Sequence, residues 1–463
     1  MSKEQNVAIE DELYAKREKI YPRQVSGVFA SLRLSGVLGL LGIYYLFPWF
    51  NWDGRQAVLF DLPARKFYIF DLVFWPQDFF YLALLLIIAA LSLFFFTALA
   101  GRLWCGYACP QTVWTEVFLW IDRKVEGDRS KAMKLDKAPW TANKIIRKSI
   151  KHVLWIVFSL FTGYTFVGWF TPIDELTTTL INLEAGPWET FWVFFYGSAT
   201  YLNAGWMREQ VCIYMCPYAR FQSAMFDKDT LIISYDEERG EPRGSRKKNI
   251  DPKEKGLGDC IDCTLCKQVC PTGIDIRDGL QYQCIGCAAC VDVCNSVMDK
   301  MGYERGLVRY TTEHSLQGKA AHVLRTRIIV YAVLLVVLLV GLIYAIGQRI
   351  PLELDIIRDR NSLYRTTESG LVENIYTLKV INMDELDHTY HLSISGLQGA
   401  SLITRTTDVK VEAGAVMELP VRVSIDPYKL KQTSTELQFH LQSIDKQDLS
   451  IVETGRFIGP VTR

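Results

Sequence analysis

Eight of the twelve cysteines in this 463-residue chain fall in one short stretch, and their spacing constrains the fold more than any other feature. They form two runs of C-x2-C-x2-C-x3-C separated by 13 residues: Cys260, Cys263, Cys266 and Cys270, then Cys284, Cys287, Cys290 and Cys294. The 169 residues after Cys294 contain no cysteine. This distribution indicates thiolates that bind metal on a reducing side of a membrane, and it argues against a disulfide framework.

The double run is typical of bacterial two-cluster ferredoxins, in which the fourth cysteine of each run ligates the other cluster. That rule predicts one [4Fe-4S] cluster on Cys260, Cys263, Cys266 and Cys294, and a second on Cys270, Cys284, Cys287 and Cys290. A pair of zinc knuckles is the alternative, because C-x2-C pairs also bind zinc. Eight cysteines in this double pattern have no common zinc counterpart, and so the spacing favours clusters.

Long apolar runs alternate with charged segments, which predicts an integral membrane protein. A membrane-spanning helix needs about 20 mostly apolar residues. Five stretches qualify, the fourth being the most diluted by polar residues: Leu34–Phe50, Phe79–Ala100, Val153–Phe170, Phe191–Met207 and Thr326–Ile346. No cleavable signal peptide is expected ahead of them, because Met1–Arg23 is polar and highly charged.

Lysine and arginine in the connecting loops predict the orientation of these spans. Residues 102–151 carry eleven such side chains and residues 171–188 carry none. The amino terminus, with Lys16, Arg17, Lys19 and Arg23, belongs on the same basic side. Five spans then place the amino terminus and the ferredoxin segment in the cytoplasm and the residues after about 348 in the periplasm. The overall charge, 51 basic against 51 acidic residues, gives no case for nucleic-acid binding.

Two segments outside the membrane have their own patterns. Residues 227–258 are charged and rich in Gly, Pro and Lys, which predicts a linker. From Glu353 onward, apolar residues alternate with polar ones in about seven short runs, as in Tyr376–Val380 and Leu437–Leu441. Runs of this number and length predict an antiparallel sandwich of immunoglobulin-like size. His388 and His391 within it are expected on the solvated surface, and His152 at a membrane edge.

The other four cysteines form an internal repeat, C-x-Y-x-C-P. Cys105 and Cys109 follow the second span, Cys212 and Cys216 follow the fourth, and Arg102 or Arg208 precedes each pair. The i,i+4 spacing predicts that both sulfurs of a pair share one helix face. Two such hairpins packed together would gather four soft thiol ligands that suit Cu(I), zinc or iron–sulfur. Four small buried cysteines are the alternative, but the duplication favours a metal-binding or redox role. Met215, inside the second motif, is a candidate for an additional thioether ligand.

Taken together, the five spans, the two Cys-Pro motifs, the double ferredoxin run and the outer β-domain resemble the cytochrome c oxidase accessory protein family, known as CcoG, FixG or RdxA. This resemblance covers nearly the whole chain. It implies a membrane-bound cupric reductase that supplies Cu(I) for assembly of a cbb3-type haem-copper oxidase in the bacterial inner membrane. By the same resemblance, Cys105, Cys109, Cys212 and Cys216 are copper-binding or redox residues, with copper as substrate or bound ion, and the other eight cysteines hold two [4Fe-4S] clusters.

The implied partners are membrane lipid, copper ions, oxidase assembly factors, a copper-transporting ATPase and an electron donor that the sequence does not name. The oligomeric state is open, a homodimer included. Two other functions are compatible with the residues. A quinol dehydrogenase is one, because the spans, Cys-Pro motifs and ferredoxin run also resemble the NapH family, which lacks the outer sandwich. A copper chaperone or assembly scaffold with structural clusters is the other.

The expected architecture is therefore a multi-domain membrane protein. Its α-helical bundle of five spans carries an inserted bacterial-type 2[4Fe-4S] ferredoxin domain of α+β type and ends in an all-β immunoglobulin-like sandwich. The predicted boundaries are a cytoplasmic segment at 1–29, a four-span domain at 30–226, a linker at 227–258, the ferredoxin domain at 259–325, the fifth span at 326–348 and the periplasmic sandwich at 349–463.

Overall fold

The computed structural model describes residues 19–248 and 255–460. Lys16 and Arg17, used above for orientation, and residues 249–254 of the predicted linker lie outside this part of the chain. The chain divides into two compact units. The first comprises Met1–Asp61 and Leu84–Leu338, and the second comprises Leu62–Ala83 and Leu339–Arg463.

The first unit is mainly helical up to residue 226. Its α-helices are α1 (Val28–Leu46), α2 (Phe79–Ala100), α3 (Leu103–Tyr107), α4 (Pro110–Val125), α5 (Arg129–Lys137), α6 (Ala142–Val167), α7 (Ile173–Ile181), α8 (Pro187–Thr200) and α9 (Pro217–Met225). Two π-helical segments, Tyr201–Met207 and Val211–Met215, lie between α8 and α9. Short strands follow α1: β1 (Asn51–Trp52), β2 (Arg55–Gln56), β3 (Val58–Asp61), β4 (Lys66–Ile69) and β5 (Leu72–Phe74), the last two in the second unit.

Four helices of the described chain are long and apolar enough to cross a membrane: Val28–Trp49, Pro76–Ala100, Ala142–Val167 and Thr326–Gly347. They coincide with four of the five predicted spans. The predicted span Phe191–Met207 is not among them. Its α-helical part, α8, has only 14 residues, and the chain then continues for seven residues as a π-helix. The count of five spans therefore stays a prediction.

Helix α8 nevertheless packs closely on the third span. A Cβ atom added at Gly163 of α6 would lie 2.1 Å from the carbonyl oxygen of Val193, so only glycine allows the two backbones to approach this far. Small residues at such crossings are the usual means of helix association in membranes. The neighbouring core is aromatic, with Phe118 and Trp155 in edge-to-face contact at a centroid distance of 5.4 Å.

The cysteine-rich part of the first unit is a small α+β fold. Strand β6 (Ile232–Tyr235) pairs antiparallel with β7 (Val308–Thr311). The helices around them are α10 (Glu237–Gly240), α11 (Leu265–Val269), α12 (Ala289–Met301) and α13 (Glu313–Leu316), with a 3-10 turn at Ile276–Asp278. Ile233 and Tyr235 are buried in the same core as Cys260 and Cys266. The structure thus differs from the predicted linker 227–258, because its first residues supply a strand of the ferredoxin fold.

Asp292 of α12 fixes this fold to the first span. Its two carboxylate oxygens accept hydrogen bonds from the backbone N–H groups of Phe29 and Ala30, at 3.2 and 2.7 Å. The residue before α1, Gly27, has no side chain to cap those groups. A carboxylate at a helix N-terminus satisfies free N–H groups and interacts favourably with the helix dipole.

The second unit is a β-sandwich. Its strands are β8 (Leu352–Arg358), β9 (Arg365–Thr366), β10 (Val372–Asn382), β11 (His388–Ser395), β12 (Ser401–Ile403), β13 (Asp408–Val411), β14 (Val416–Ile425), β15 (Ser434–Ser443) and β16 (Ser450–Ile458). One sheet has the order β12-β14-β10-β8, with β9 beside β10, and the other has the order β13-β11-β15-β16. All of these pairs are antiparallel. The chain enters this unit through α14 (Thr326–Gly347).

The apolar residues of the alternating pattern predicted from the sequence line the core of the sandwich. Tyr376, Tyr390 and Phe439 are fully buried, and the Tyr376 hydroxyl donates to the carbonyl oxygen of Arg456 at 2.9 Å. The expectation for His388 is wrong: only 4% of it is exposed, and its Nε2 lies 3.2 Å from an oxygen of Asp384. The ring occupies an inward position of β11, which a polar residue can fill when it has a partner. His391, by contrast, is exposed and pairs with Asp408.

Candidate functional site

The first cysteine set lines one buried cavity of the ferredoxin fold. Its members are Cys260, Cys263, Cys266 and Cys294, and the remaining wall is mainly apolar. Asp262 and Thr264 adopt left-handed backbone conformations, with φ of 52° and 56°, and the loop that contains them brings Cys260, Cys263 and Cys266 to the same cavity. Cys263 is exposed, whereas Cys260 and Cys266 are buried. One edge of this set therefore faces solvent.

The second set lines a separate cavity. Its members are Cys270, Cys284, Cys287 and Cys290, and Cys266 touches the same cavity from the other side. Gly286 and Ala288 repeat the left-handed turns of the first loop, with φ of 69° and 56°. Cys270 thus lines a cavity together with three cysteines of the second run, and Cys294 lines a cavity together with three cysteines of the first run.

The fit of these residues to an iron–sulfur cluster can be judged from their separation. Among the described residues, no three His, Cys, Asp or Glu side chains are close enough to hold a single metal ion. A zinc knuckle places four ligands about 2.0–2.3 Å from one ion. Four thiols that surround a common apolar cavity without converging on one point suit a larger group, whose four irons each take one thiolate. The arrangement fits a cluster.

The two Cys-Pro motifs are built alike, but differently from the sequence prediction. Cys105 lies in α3, which ends at Tyr107, and Cys109 has an extended backbone just before Pro110 opens α4. In the second motif, Cys212 lies in the π-helix Val211–Met215 and Cys216 is extended before α9. Proline disfavours helical conformation in the preceding residue and is favoured as the first residue of a helix. The expectation that both sulfurs of a pair share one helix face is therefore wrong.

The structure brings the two motifs together. Arg102 donates to the carbonyl oxygen of Ala219 at 2.6 Å, and the Cys105 thiol donates to Oε1 of the buried Gln222 at 3.2 Å. Gln111 donates to the carbonyl oxygens of Asn203 and Arg208, at 2.8 and 3.1 Å. Each of these bonds joins one repeat to the other.

The four thiols also share one electrostatic environment. Burial raises the pKa of Cys105 to about 12, with further increases from the nearby Cys109 and Cys216 and an opposing effect of Arg102. Burial likewise raises the pKa of Cys212 to about 12, and Cys109, Cys105 and Cys216 raise it further. The thiols are near enough to influence one another, although no three of them converge on the position of a single ion. Met215, in the same π-helical segment as Cys212, is 56% exposed.

The backbone is strained at Arg208, shortly before the second Cys-Pro motif. Arg208, between the two π-helical segments, has φ of 47° and ψ of −113°, a conformation rarely adopted by a residue with a side chain. Its guanidinium group donates hydrogen bonds to the carbonyl oxygen of Gly205 at 2.8 Å and to a carboxylate oxygen of Asp122 at 2.6 Å. Strained residues and π-helical turns occur preferentially at functional sites. His152, near this point, bonds through Nδ1 to the Tyr201 hydroxyl at 2.8 Å.

Three contributors to the site were not singled out from the sequence. Gln222 accepts a hydrogen bond from the Cys105 thiol. Tyr310 and Arg33 donate to the carbonyl oxygens of Gly286 and Cys287, in the loop of the second cysteine set. Arg102 and Tyr107 had a detectable signal, because the repeat also contains an arginine and a tyrosine in its second copy. Gln222, Tyr310 and Arg33 belong to no repeated motif, and only the tertiary structure reveals their contacts.

Sequence comparison places these features in a family. Residues 207–313 match a model described as a 4Fe-4S dicluster domain, and residues 82–126 match one described as a 4Fe-4S binding domain. Residues 342–460 match the IG-like fold at the C-terminal of FixG. The nitrogen fixation protein FixG of Rhizobium meliloti is 38% identical over 458 residues, covering 89% of this chain and 87% of FixG. The chain belongs to the FixG/RdxA family.

Two further relatives come from Cereibacter sphaeroides. Protein RdxA is 40% identical, with 88% of this chain and 87% of RdxA covered. Protein RdxB is 43% identical, with 83% of each chain covered. Together with the family models and the apolar helices, these relatives identify this FixG/RdxA family member as a membrane-bound iron–sulfur protein of the electron-transfer oxidoreductase class.

Proposed function

We propose that this protein reduces Cu(II) to Cu(I) at the four thiols of its Cys-Pro motifs, and that the product serves assembly of a cbb3-type haem-copper oxidase. The observation that carries the proposal is the joining of the two motifs, through Arg102, Cys105 and Gln111, beside the ferredoxin fold of the same unit. Soft thiol ligands favour Cu(I) over Cu(II), so such a site would promote the reduction.

The two cysteine sets are proposed as the ligands of two [4Fe-4S] clusters. Cys260, Cys263, Cys266 and Cys294 would hold one, and Cys270, Cys284, Cys287 and Cys290 would hold the other, in agreement with the two cavities that they line. When bound, each cluster supplies one-electron redox chemistry. The protein contributes mainly apolar surroundings and the backbone turns that bring these thiols to their cavities, with Cys263 at the solvent-exposed edge.

The ferredoxin fold and the amino terminus are proposed to lie in the cytoplasm, and residues after 348 in the periplasm. Arg33, at the start of α1, and the α3 region after α2 both contact the ferredoxin loop at Gly286–Cys287. Helix α6 is the one long apolar helix of the described chain between α3 and Cys284, so a chain that crosses the membrane there has to cross again before it reaches the ferredoxin loop. Helix α8 with its π-helical extension, over residues 187–207, is of about the length that a crossing needs. This supports five spans.

The proposal is tested by mixing anaerobic, dithionite-reduced protein with stoichiometric Cu(II). The expected result is oxidation of the clusters, followed by paramagnetic resonance, and release of Cu(I) to a chelator. A variant with Cys105 and Cys212 both changed to serine is expected to keep its clusters and to lose this response. Clusters of the wild-type protein that stay reduced in the presence of Cu(II) would contradict the proposal.

One observation favours oxidation of a quinol as a second candidate function. A cavity of about 450 Å³ in the first unit is lined by Cys287, Cys212, Leu34, Trp120 and Glu116 among others. It therefore combines an apolar wall on a membrane helix with a cysteine of the second set, and its size suits a small ligand. Reduction of the clusters by a quinol, unaffected by loss of Cys105 and Cys216, which do not line this cavity, would favour this function.

A further inference from the structure

The ferredoxin loop that carries the second cysteine set lies directly against the first Cys-Pro motif. A Cβ atom added at Gly106 would lie 2.8 Å from the carbonyl oxygen of Gly286 and 3.0 Å from Cα of Cys287. A Cβ atom added at Gly286, whose φ is 69°, would lie 3.1 Å from the carbonyl oxygen of Arg102. These two glycines therefore allow the two backbones to approach each other closely, and a side chain at either position would push them apart.

Hydrogen bonds hold this contact in place. The Tyr310 hydroxyl donates to the carbonyl oxygen of Gly286 at 2.6 Å, and the Tyr107 hydroxyl lies 3.2 Å from that of Tyr310. Arg33 donates to the carbonyl oxygen of Cys287. The carbonyl groups of the two successive residues Gly286 and Cys287 are thus both bonded, the second of them by a residue of α1. A peptide fixed in this way has little freedom to move away from α3.

The two cysteine sets differ in what they face. Gly286 and Cys287 belong to the loop of the second set, and Gly106 is the immediate neighbour of Cys105 in the sequence. In the first set, Cys263 is exposed to solvent. One set thus presents an edge to solvent, and the other adjoins the thiol motif.

We propose that the contact between Gly106 and Gly286 is the electron exit of the ferredoxin domain. Electrons enter on the side of Cys263 and leave by the Gly286–Cys287 peptide toward Cys105. This inference rests on the proposed function. One electron passes from the side of the second cysteine set to one Cu(II) at the four thiols, which becomes Cu(I). No bond is made or broken in the protein. Gly106, Gly286 and Tyr310 are positioning residues for this transfer.

The test compares Gly106→Ala with Gly39→Ala in α1, where an added Cβ would meet nothing within 4 Å. Each protein is reduced with dithionite, mixed with Cu(II) and frozen at intervals for paramagnetic resonance. In the wild type, the signal that requires Cys270 is expected to disappear before the signal that requires Cys294. Gly106→Ala is expected to slow this step roughly tenfold or more, because small misplacements of reacting groups have effects of this size. Gly39→Ala is expected to match the wild type.

Two further readouts separate positioning from general damage. Gly106→Ala is expected to keep its iron content and cluster potentials, while hydrogen exchange increases in the peptide that covers residues 284–290. Tyr310→Phe, which adds no bulk, is expected to slow the transfer to a smaller extent, and it serves as the test if Gly106→Ala fails to load iron. Equal rates in Gly106→Ala and Gly39→Ala, or earlier oxidation of the Cys294 signal, would overturn the inference. A wild-type protein that does not respond to Cu(II) would instead overturn the proposed function.

Discussion

Cys270 shows how the backbone decides the partner of a side chain. It follows α11 in the first cysteine run, yet it lines the cavity of Cys284, Cys287 and Cys290. The preceding Thr264, in a left-handed conformation, begins α11, and this short helix carries the chain from one cavity to the other. Cys294 makes the reverse passage along α12. The two cavities therefore share their connecting helices, and neither can form without both runs.

A serine at position 270 is expected to remove the cluster of the second set, although the residue lies in the first run. Cys294→Ser is expected to have the reciprocal effect on the first set. Each variant should retain about half of the wild-type iron, because each cluster has four irons. Iron analysis with paramagnetic resonance of the reduced proteins measures this. If Cys270→Ser and Cys263→Ser lost the same resonance signal, the crossed assignment would be wrong.

Glu126 is the buried anion of the loop between α4 and α6. It is 2% exposed and pairs with Lys148 at 2.7 Å and with Lys151 at 2.8 Å. Burial by itself would raise the pKa of Glu126, but the hydrogen bonds and charges of the two lysines lower it below its ordinary value of 4.5. Lys151 is itself only 4% exposed, so the Glu126 carboxylate is the main counter-charge of its buried ammonium group.

Glu126→Gln is expected to lower the free energy of unfolding by about 3–5 kcal/mol, because it leaves a buried lysine without its counter-ion. Glu116→Gln is the matched control: that carboxylate is 39% exposed and pairs with Arg123, and about 1 kcal/mol or less is expected. Since the pKa of Glu126 is lowered by folding, its contribution is present above pH 4.5 and is lost as the pH falls below that value. Denaturant unfolding in detergent at pH 7 and pH 4 measures both effects, and equal losses in the two variants would contradict the expectation.

At the level of elements, each Cys-Pro motif ends one helix and starts another. If one helix continued through Cys109, the direction of the Cys109 thiol would be set by the helical rotation. Instead, Cys109 is extended just before Pro110, and its position at the junction of α3 and α4 sets the direction of the thiol. The proline is therefore part of how the thiol is placed. Pro187 opens α8 in the same way, but it follows a glycine and carries no such role.

Pro110→Ala and Pro187→Ala are both expected to lower the free energy of unfolding by about 0.4–1 kcal/mol, the usual value of a compatible proline. Only Pro110→Ala is expected to weaken Cu(I) binding, by roughly tenfold or more, as when a residue that orients a ligand is lost. Competition with a Cu(I) chelator measures the affinity. Equal Cu(I) affinities in the two variants would show that the proline has no role in placing the thiol.

The sequence predicted those elements whose pattern is local. Strand alternation from Tyr376 to Leu441 has a fixed period and predicted the residues of the sandwich core. The cysteine spacing also has a fixed period, and the ligand sets that it predicts line two cavities. Strand β6 was missed because its four residues lie in a charged segment and because Ile232 pairs with Thr311, far along the chain. The break at Cys109 was missed because the i,i+4 spacing was given more weight than the following proline. Contacts such as that of Gly106 with Gly286 depend on tertiary packing alone.

For the whole molecule, the number of crossings decides which compartment each part occupies. Leu183, after α7, is 92% exposed, and Lys131 of α5 is also exposed. In intact cells, Leu183→Cys is expected to react with an impermeant maleimide added from outside, and Lys131→Cys is expected to react only after lysis. The label is detected by mass spectrometry of the peptide around each position. Labelling of Lys131→Cys in intact cells would refute the proposed orientation.

The cap that Asp292 provides for α1 also orders the events of biosynthesis. The carboxylate and the N–H group of Phe29 are 263 residues apart in the chain, so α1 emerges from the ribosome long before its capping residue is made. At translation rates of about 5–20 residues per second, this interval is on the order of tens of seconds. The start of the first membrane helix is therefore completed only after the cysteine-rich domain has folded.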